Sequence, residues 1–207
     1  MEFPNFRGNL NACPPFGKAL RLPPLMYYRA STPPDSIFTM APEYEFRTAW
    51  RRNDLQLMAD AKDFWRDLKM LSPPEMERRA AEVIMVAYHL GKPVAVSSAN
   101  LAMVEQLRCR CAMYRCAVAL DHRRHHLSYQ ISGLSRDVLE QWSLEHPEEE
   151  ICGMAANIEA SQYRSGKQRE PMWPEYGLHL DFVGYNNKGQ QLRVAWFRHA
   201  ILPEARQ

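Results

Sequence analysis

Nowhere does the sequence hold a run approaching the roughly 20 apolar residues that cross a bilayer. Its start, MEFPNFRGNLNACPPFGKAL, also lacks the apolar core of a signal peptide. A soluble, cytoplasmic protein with no membrane association is therefore expected. Neither sign of charge dominates: 26 basic and 24 acidic residues give a formal charge of +2, with a pI near 8.3. That balance argues against a nucleic-acid partner, despite Arg108, Arg110, Arg123 and Arg124. Cysteine is too scarce for a disulfide scaffold. The five (Cys13, Cys109, Cys111, Cys116 and Cys152) are odd in number, and four fall in or beside strand-like segments, so buried, reduced thiols are expected. Cys109-Arg110-Cys111 lacks the spacing of a zinc or redox pair. His122, His125 and His126 cluster without a fixed further ligand, so no metal is expected. No internal repeat is present.

What the chain does have is 46% hydrophobic residues over 207 positions, enough for one well-buried core and short for two. One domain with an appendage is the expected organisation. The first 44 residues carry eight of the fifteen prolines and no helical period, so residues 1–43 read as an extended arm. Phe3, Phe6, Phe16, Leu22 and Tyr27 are among too many apolar side chains for a free tail, which predicts that the arm lies on the domain or a partner subunit.

Residues 44–207 read as an alternation of strands and helices. Tyr44 to Trp50 predicts a strand. Asn53 then opens a helix, with Gln56 completing a capping-box pattern and Leu57, Met58, Ala61, Phe64, Trp65 and Leu68 forming one apolar face. Ser72-Pro-Pro-Glu75 starts a short second helix to about Arg79. Glu82–Tyr88 and Val94–Leu101 flank a Gly91 turn and predict a hairpin, and Cys111–Leu120 predicts a further strand. A long helix follows, with Leu127, Ile131, Leu134, Val138 and Trp142 as its stripe; Ile151–Ile158 is the next strand, parallel to the one before the helix. Leu178–Tyr185 and Gln191–Arg198 close the chain as a hairpin, with Gly189 at a left-handed turn position. Trp65, Trp142 and Trp196 fall on apolar faces and read as core, whereas Trp173 stands outside any regular period.

This order, with ERRAAEVIMVAYHLGKPVAV as an early hairpin and MYRCAVALDHRRHHLSYQISGLSRDVLEQW as strand, basic turn and long helix, resembles the GCN5-related N-acetyltransferase (GNAT) superfamily over about residues 44–199. The resemblance implies an α/β fold: a mixed, mostly antiparallel sheet flanked by helices, with a central parallel strand pair. It also implies an acyl-CoA-dependent N-acyltransferase, using acetyl-CoA or another acyl-CoA on an amine of a small molecule or polypeptide. The alternative is a catalytically silent protein of the same fold, used for binding or assembly.

In the family the basic turn reads R/Q-x-x-G-x-G/A, and its amides cradle the coenzyme's pyrophosphate at a helix start. The resemblance aligns that turn with Arg123, Arg124, His125, His126, Leu127 and Ser128, so His126 and Ser128 stand where glycines are expected. Main-chain groups around Val118, Ala119 and Leu120 would pair with the pantetheine arm, and Asn157 is a further candidate contact. Tyr163 is the candidate acid for the departing thiolate and Glu159 the candidate base, with Tyr176 a rival acid. The apolar arm and the closing hairpin both offer contacts for a homodimer.

Overall fold

The computed structural model describes residues 44–158, 170–173 and 178–203, apart from the side chains of Arg124 and His125. The chain divides into two units, Met1–Thr39 and Met40–Gln207, and all described residues belong to the second. Along it run β1 (Glu45–Thr48), α1 (Leu55–Asp67), α2 (Pro73–Ala80), β2 (Val83–His89), β3 (Lys92–Val104) and β4 (Cys109–Val118). A 3-10 helix, Leu120–His125, leads into α3 (Leu127–Glu145), and then come β5 (Ile151–Ile158), β6 (Met172–Trp173), β7 (Leu180–Tyr185) and β8 (Gln191–Trp196). The eight strands form one sheet in the order β1-β2-β3-β4-β5-β8-β7-β6. Every pairing in it is antiparallel except β4 with β5. A mixed sheet with one central parallel pair, covered by helices on both faces, is a GNAT-like fold, as the resemblance implies.

The two faces are filled by different helices. Leu57, Ala61, Phe64 and Trp65 of α1 pack on Val86, Tyr88 and Val96 of the sheet. On the other face, Leu127, Ile131 and Leu139 of α3 pack on Ile84, Ala95, Ala99 and Ala112. Strand alternation makes this possible, since neighbouring residues of β2 and β3 are buried against opposite layers.

Several boundaries differ from those the sequence predicts. The cap of α1 is Asp54, whose Oδ1 accepts from Leu57 N at 3.0 Å, and Asn53 sits one residue outside at φ 50°. Ser72 does precede α2, yet its side chain makes no cap bond; prolines take the first turn, where a missing N–H costs nothing. The stripe of α3 is rotated from the expected one. Leu134 is exposed, and the fully buried turn positions are Leu127, Ile131, Ser135 and Leu139. Ser135 meets Ser97 of β3, Oγ to Oγ, at 2.8 Å, so two small hydroxyl residues let helix and sheet approach closely. Strand β4 ends at Val118, which places Leu120 in the 3-10 helix instead of the strand expected for it. Trp65 is buried as expected; Trp142 and Trp196 are only partly so. In the closing hairpin Gly189 takes φ 73°, and Asn186 Oδ1 accepts from Lys188 N and Gln190 N to hold the turn. No helix among the described residues is long and apolar enough to cross a membrane.

Candidate functional site

The parallel pair is incomplete. β4 and β5 pair from Arg110↔Ile151 to Met113↔Ala155, with one register shift after Arg110, and then part, although β4 continues to Val118 and β5 to Ile158. A cavity of about 1120 Å³ occupies the gap and reaches both faces of the sheet. Ala119 N donates to Val94 O at 2.9 Å on the β3 side. By antiparallel alternation the main-chain groups of Val118 and Cys116 therefore face the opposite edge, into the gap. Of the three residues aligned with the pantetheine contacts, Val118 faces the gap, although its carbonyl also accepts from Arg123 Nε. Ala119 is not, because β3 takes its N–H and His122 N takes its carbonyl. Leu120 is exposed on the 3-10 helix beyond the strand end. Asn157 lines the cavity from β5.

The turn between β4 and α3 closes one end. His126 holds φ 56° and ψ 16°, a left-handed geometry that glycine adopts freely and a β-carbon resists. This is the position where the resemblance expects the first glycine, and the backbone keeps the glycine shape without the glycine. The carbonyl of His126 accepts from Tyr129 N and Gln130 N, which starts α3 directly after it. The His126 side chain makes no cap bond to α3 and the first turn has no acidic residue, so the N–H groups of Leu127 and Ser128 lie at an electropositive helix start that its own N-cap residue leaves uncapped. Leu127 itself is fully buried and anchors the helix, whereas Ser128 lines the cavity. Arg123 folds back so that Nε donates to Val118 O at 3.2 Å, which leaves its terminal fork at the cavity wall. Arg124 and His125 lie in the 3-10 helix. His122 faces away toward β1, with Nδ1 at 2.9 Å from Tyr44 Oη.

Inside the gap, on the α3 face, Tyr114 Oη and Ser132 Oγ are 2.9 Å apart. Burial holds the Tyr114 phenol well above its ordinary range, so it is a neutral hydroxyl at any working pH. Burial likewise pushes the neighbouring Cys116 thiol up to about 11. The Sγ atoms of Cys109 and Cys111 are 3.9 Å apart in the core, and Cys109, Cys111, Cys116 and Cys152 are all free thiols. Cys13, Glu159, Tyr163 and Tyr176 lie outside the described residues.

Sequence reasoning missed three arginines. Arg79 of α2 and Arg115 of β4 line the cavity on the face opposite α3, beside Ser98 and Asn100. Arg193 of β8 is fully buried. Its Nη2 donates to Glu170 O at 2.7 Å and Nη1 to Leu180 O at 3.2 Å, and its guanidinium lies 3.8 Å from the Trp173 ring centre. It therefore pins β6 and β7 to the sheet and turns Trp173, for which the sequence shows no period, into a cavity wall. The available signal was a cation inside an otherwise apolar strand, at Arg115 and again at Arg193.

No family model matches the chain, and no curated protein matches it in sequence. Solved structures do. A bacterial toxin is 9% identical, with TM-score 0.45 over 76% of this chain and 93% of that one. A GNAT-family acetyltransferase from Streptococcus pneumoniae is 12% identical, with TM-score 0.39 over 73% and 96%. Tetrahymena GCN5 is 12% identical, with TM-score 0.36 over 78% and 99%.

Proposed function

We propose that the chain is an acyl-CoA-dependent N-acyltransferase, with acetyl-CoA as the first donor to test and a primary amine as acceptor. The observation that carries this reading is the parting of β4 from β5 into a cavity that ends at the uncapped start of α3. A long, thin ligand with an anionic end fits that shape: an extended arm can add main-chain bonds at the free edge of β4, as a strand would. Coenzyme A has such an arm, and the chain's own groups suit it. Arg123 and the N–H groups of Leu127 and Ser128 would hold the pyrophosphate, and the main-chain groups of Cys116 and Val118 would orient the pantetheine.

Bound there, acyl-CoA would supply the acyl group activated as a thioester. Transfer forms one C–N bond and breaks one C–S bond. Tyr163 is proposed to give a proton to the departing sulfur, and Glu159 to take one from the acceptor nitrogen, so protons balance. The neutral Tyr114–Ser132 hydroxyl pair offers a fixed dipole beside the gap.

A second reading, a silent binding protein of the same fold, is favoured by His126 and Ser128 at the glycine positions of the turn. Titration calorimetry with acetyl-CoA, using dephospho-CoA as control, separates the two: micromolar binding supports the transferase, and no binding at millimolar ligand supports the silent protein. Ser128→Pro removes one first-turn N–H where helices tolerate proline. It is expected to weaken acetyl-CoA binding about ten- to hundredfold with little change in melting temperature. Unchanged affinity would discard this turn as the anion cradle.

A further inference from the structure

We infer that the acceptor is a small amine that also carries a carboxylate, held by Arg79 and Arg115. This rests on the acyltransferase reading above. Among the described residues the cavity is lined by three arginines and no carboxylate. Arg123 stands at the α3 end, where the donor's phosphates would lie. Arg79 and Arg115 stand on the α1/α2 face of the sheet, with neutral Val96 and Ala117 between Arg115 and the α3 end. One extended ligand anchored at Arg123 leaves the second cationic pole for a different anion.

The pole is constructed from both layers. Arg115 Nη1 donates to Glu82 Oε2 at 2.9 Å and Nη2 to Asn100 Oδ1, which fixes the guanidinium on the sheet. Arg79 Nε donates to Glu75 Oε1 at 2.7 Å, and its two terminal nitrogens have no protein partner among the described residues. A purely structural network would neutralise itself. Among the described residues Arg78, Arg79 and Arg115 form ion pairs with Glu75 and Glu82 alone, three guanidiniums to two carboxylates. The terminal fork of Arg79, with its side chain 24% exposed, matches the two oxygens of a carboxylate in bidentate geometry. A polyamine or a lysine side chain would bring further positive charge to a cluster that its two carboxylates leave net cationic, whereas a zwitterionic amino acid brings none.

The test uses the full-length chain with acetyl-CoA and follows thiol release. Phenylalanine, methionine and glutamate are each compared with their own α-carboxamides. An amide lowers the basicity of the neighbouring amine and leaves more of it neutral, so ionisation alone favours the amides. The expected result is the reverse: kcat/KM at least about tenfold higher for the acids. Arg79→Gln should raise KM for the acids about tenfold or more, leave KM for the amides unchanged and hold kcat within about twofold; Arg79→Lys should restore part of the preference. Equal rates for acids and amides, or Arg79→Gln raising both KM values alike, would overturn the inference. So would acetyl-CoA binding without transfer to any of the acids, while leaving the donor site intact. Absence of acetyl-CoA binding would overturn the acyltransferase reading and this inference together.

Discussion

His126 shows how a single residue can carry a backbone shape against its own preference. An L-residue in the left-handed region loses roughly 1–2 kcal/mol per position, while glycine enters it freely but loses more chain entropy on folding. The difference favours glycine, so His126→Gly is expected to stabilise the fold by about 0.5–1 kcal/mol and raise the melting temperature by about 1–4 °C in thermal unfolding. Destabilisation would mean that the imidazole, 6.3 Å from the Tyr129 ring centre to centre, contributes more than the backbone strain removes. At this scale the register of the family's turn singled out Arg123 and Ser128, and both line the cavity. It was silent where a side chain acts through tertiary contacts. Nothing in QLRVAW says that Arg193 is sealed beneath Trp173 instead of facing solvent, because a lone cation in a strand has the same signature in either case.

Helix α2 is short, buries Met76 and Ala80, and carries several ion pairs on its outer face. Its Glu75 carboxyl is held down to about 2 from an ordinary 4.5, first by hydrogen bonds from Arg78 and then from Arg79. A folded-state value below the unfolded one means that the contribution is complete above pH 4.5 and is lost as pH falls toward 2. Glu75→Gln is therefore expected to flatten the acid limb of stability against pH between these values, measured by urea unfolding, and to have its largest effect near neutrality. A parallel shift at every pH would assign the loss to packing. Elements themselves were legible wherever period and punctuation agreed, and β5 matches its expected bounds residue for residue. Boundaries moved where two residues compete for one role. Adjacent Asn53 and Asp54 can both cap α1, and only the folded chain shows that Asp54 does so. Likewise the α3 stripe drawn from large residues alone overlooks Ser135, whose smallness is what the close approach to Ser97 requires.

At the scale of the molecule, the sheet is two blocks joined over a few residues of parallel pairing, with the cavity in the gap between them. The amides of Arg115 and Ala117 face β3, whereas those of Cys116 and Val118 face the gap. Acetyl-CoA is expected to slow hydrogen exchange at Cys116 and Val118, up to about a hundredfold at a hundred times the dissociation constant, and to change Arg115 and Ala117 little. Uniform protection along β4 would point to binding elsewhere that tightens the whole sheet.

The strand order also has a consequence during synthesis. β8 is made after every other described strand, yet it lies in the interior of the sheet, between β5 and β7. Until it emerges, β5 (Ile151–Ile158), with its first five residues buried in the finished fold, has one edge without a partner. The nascent protein thus carries an open, apolar strand until β8 emerges, a state that favours edge-to-edge association. Premature termination before Gln191 would make that transient state permanent, so the closing hairpin covers the β5 edge as well as completing the sheet.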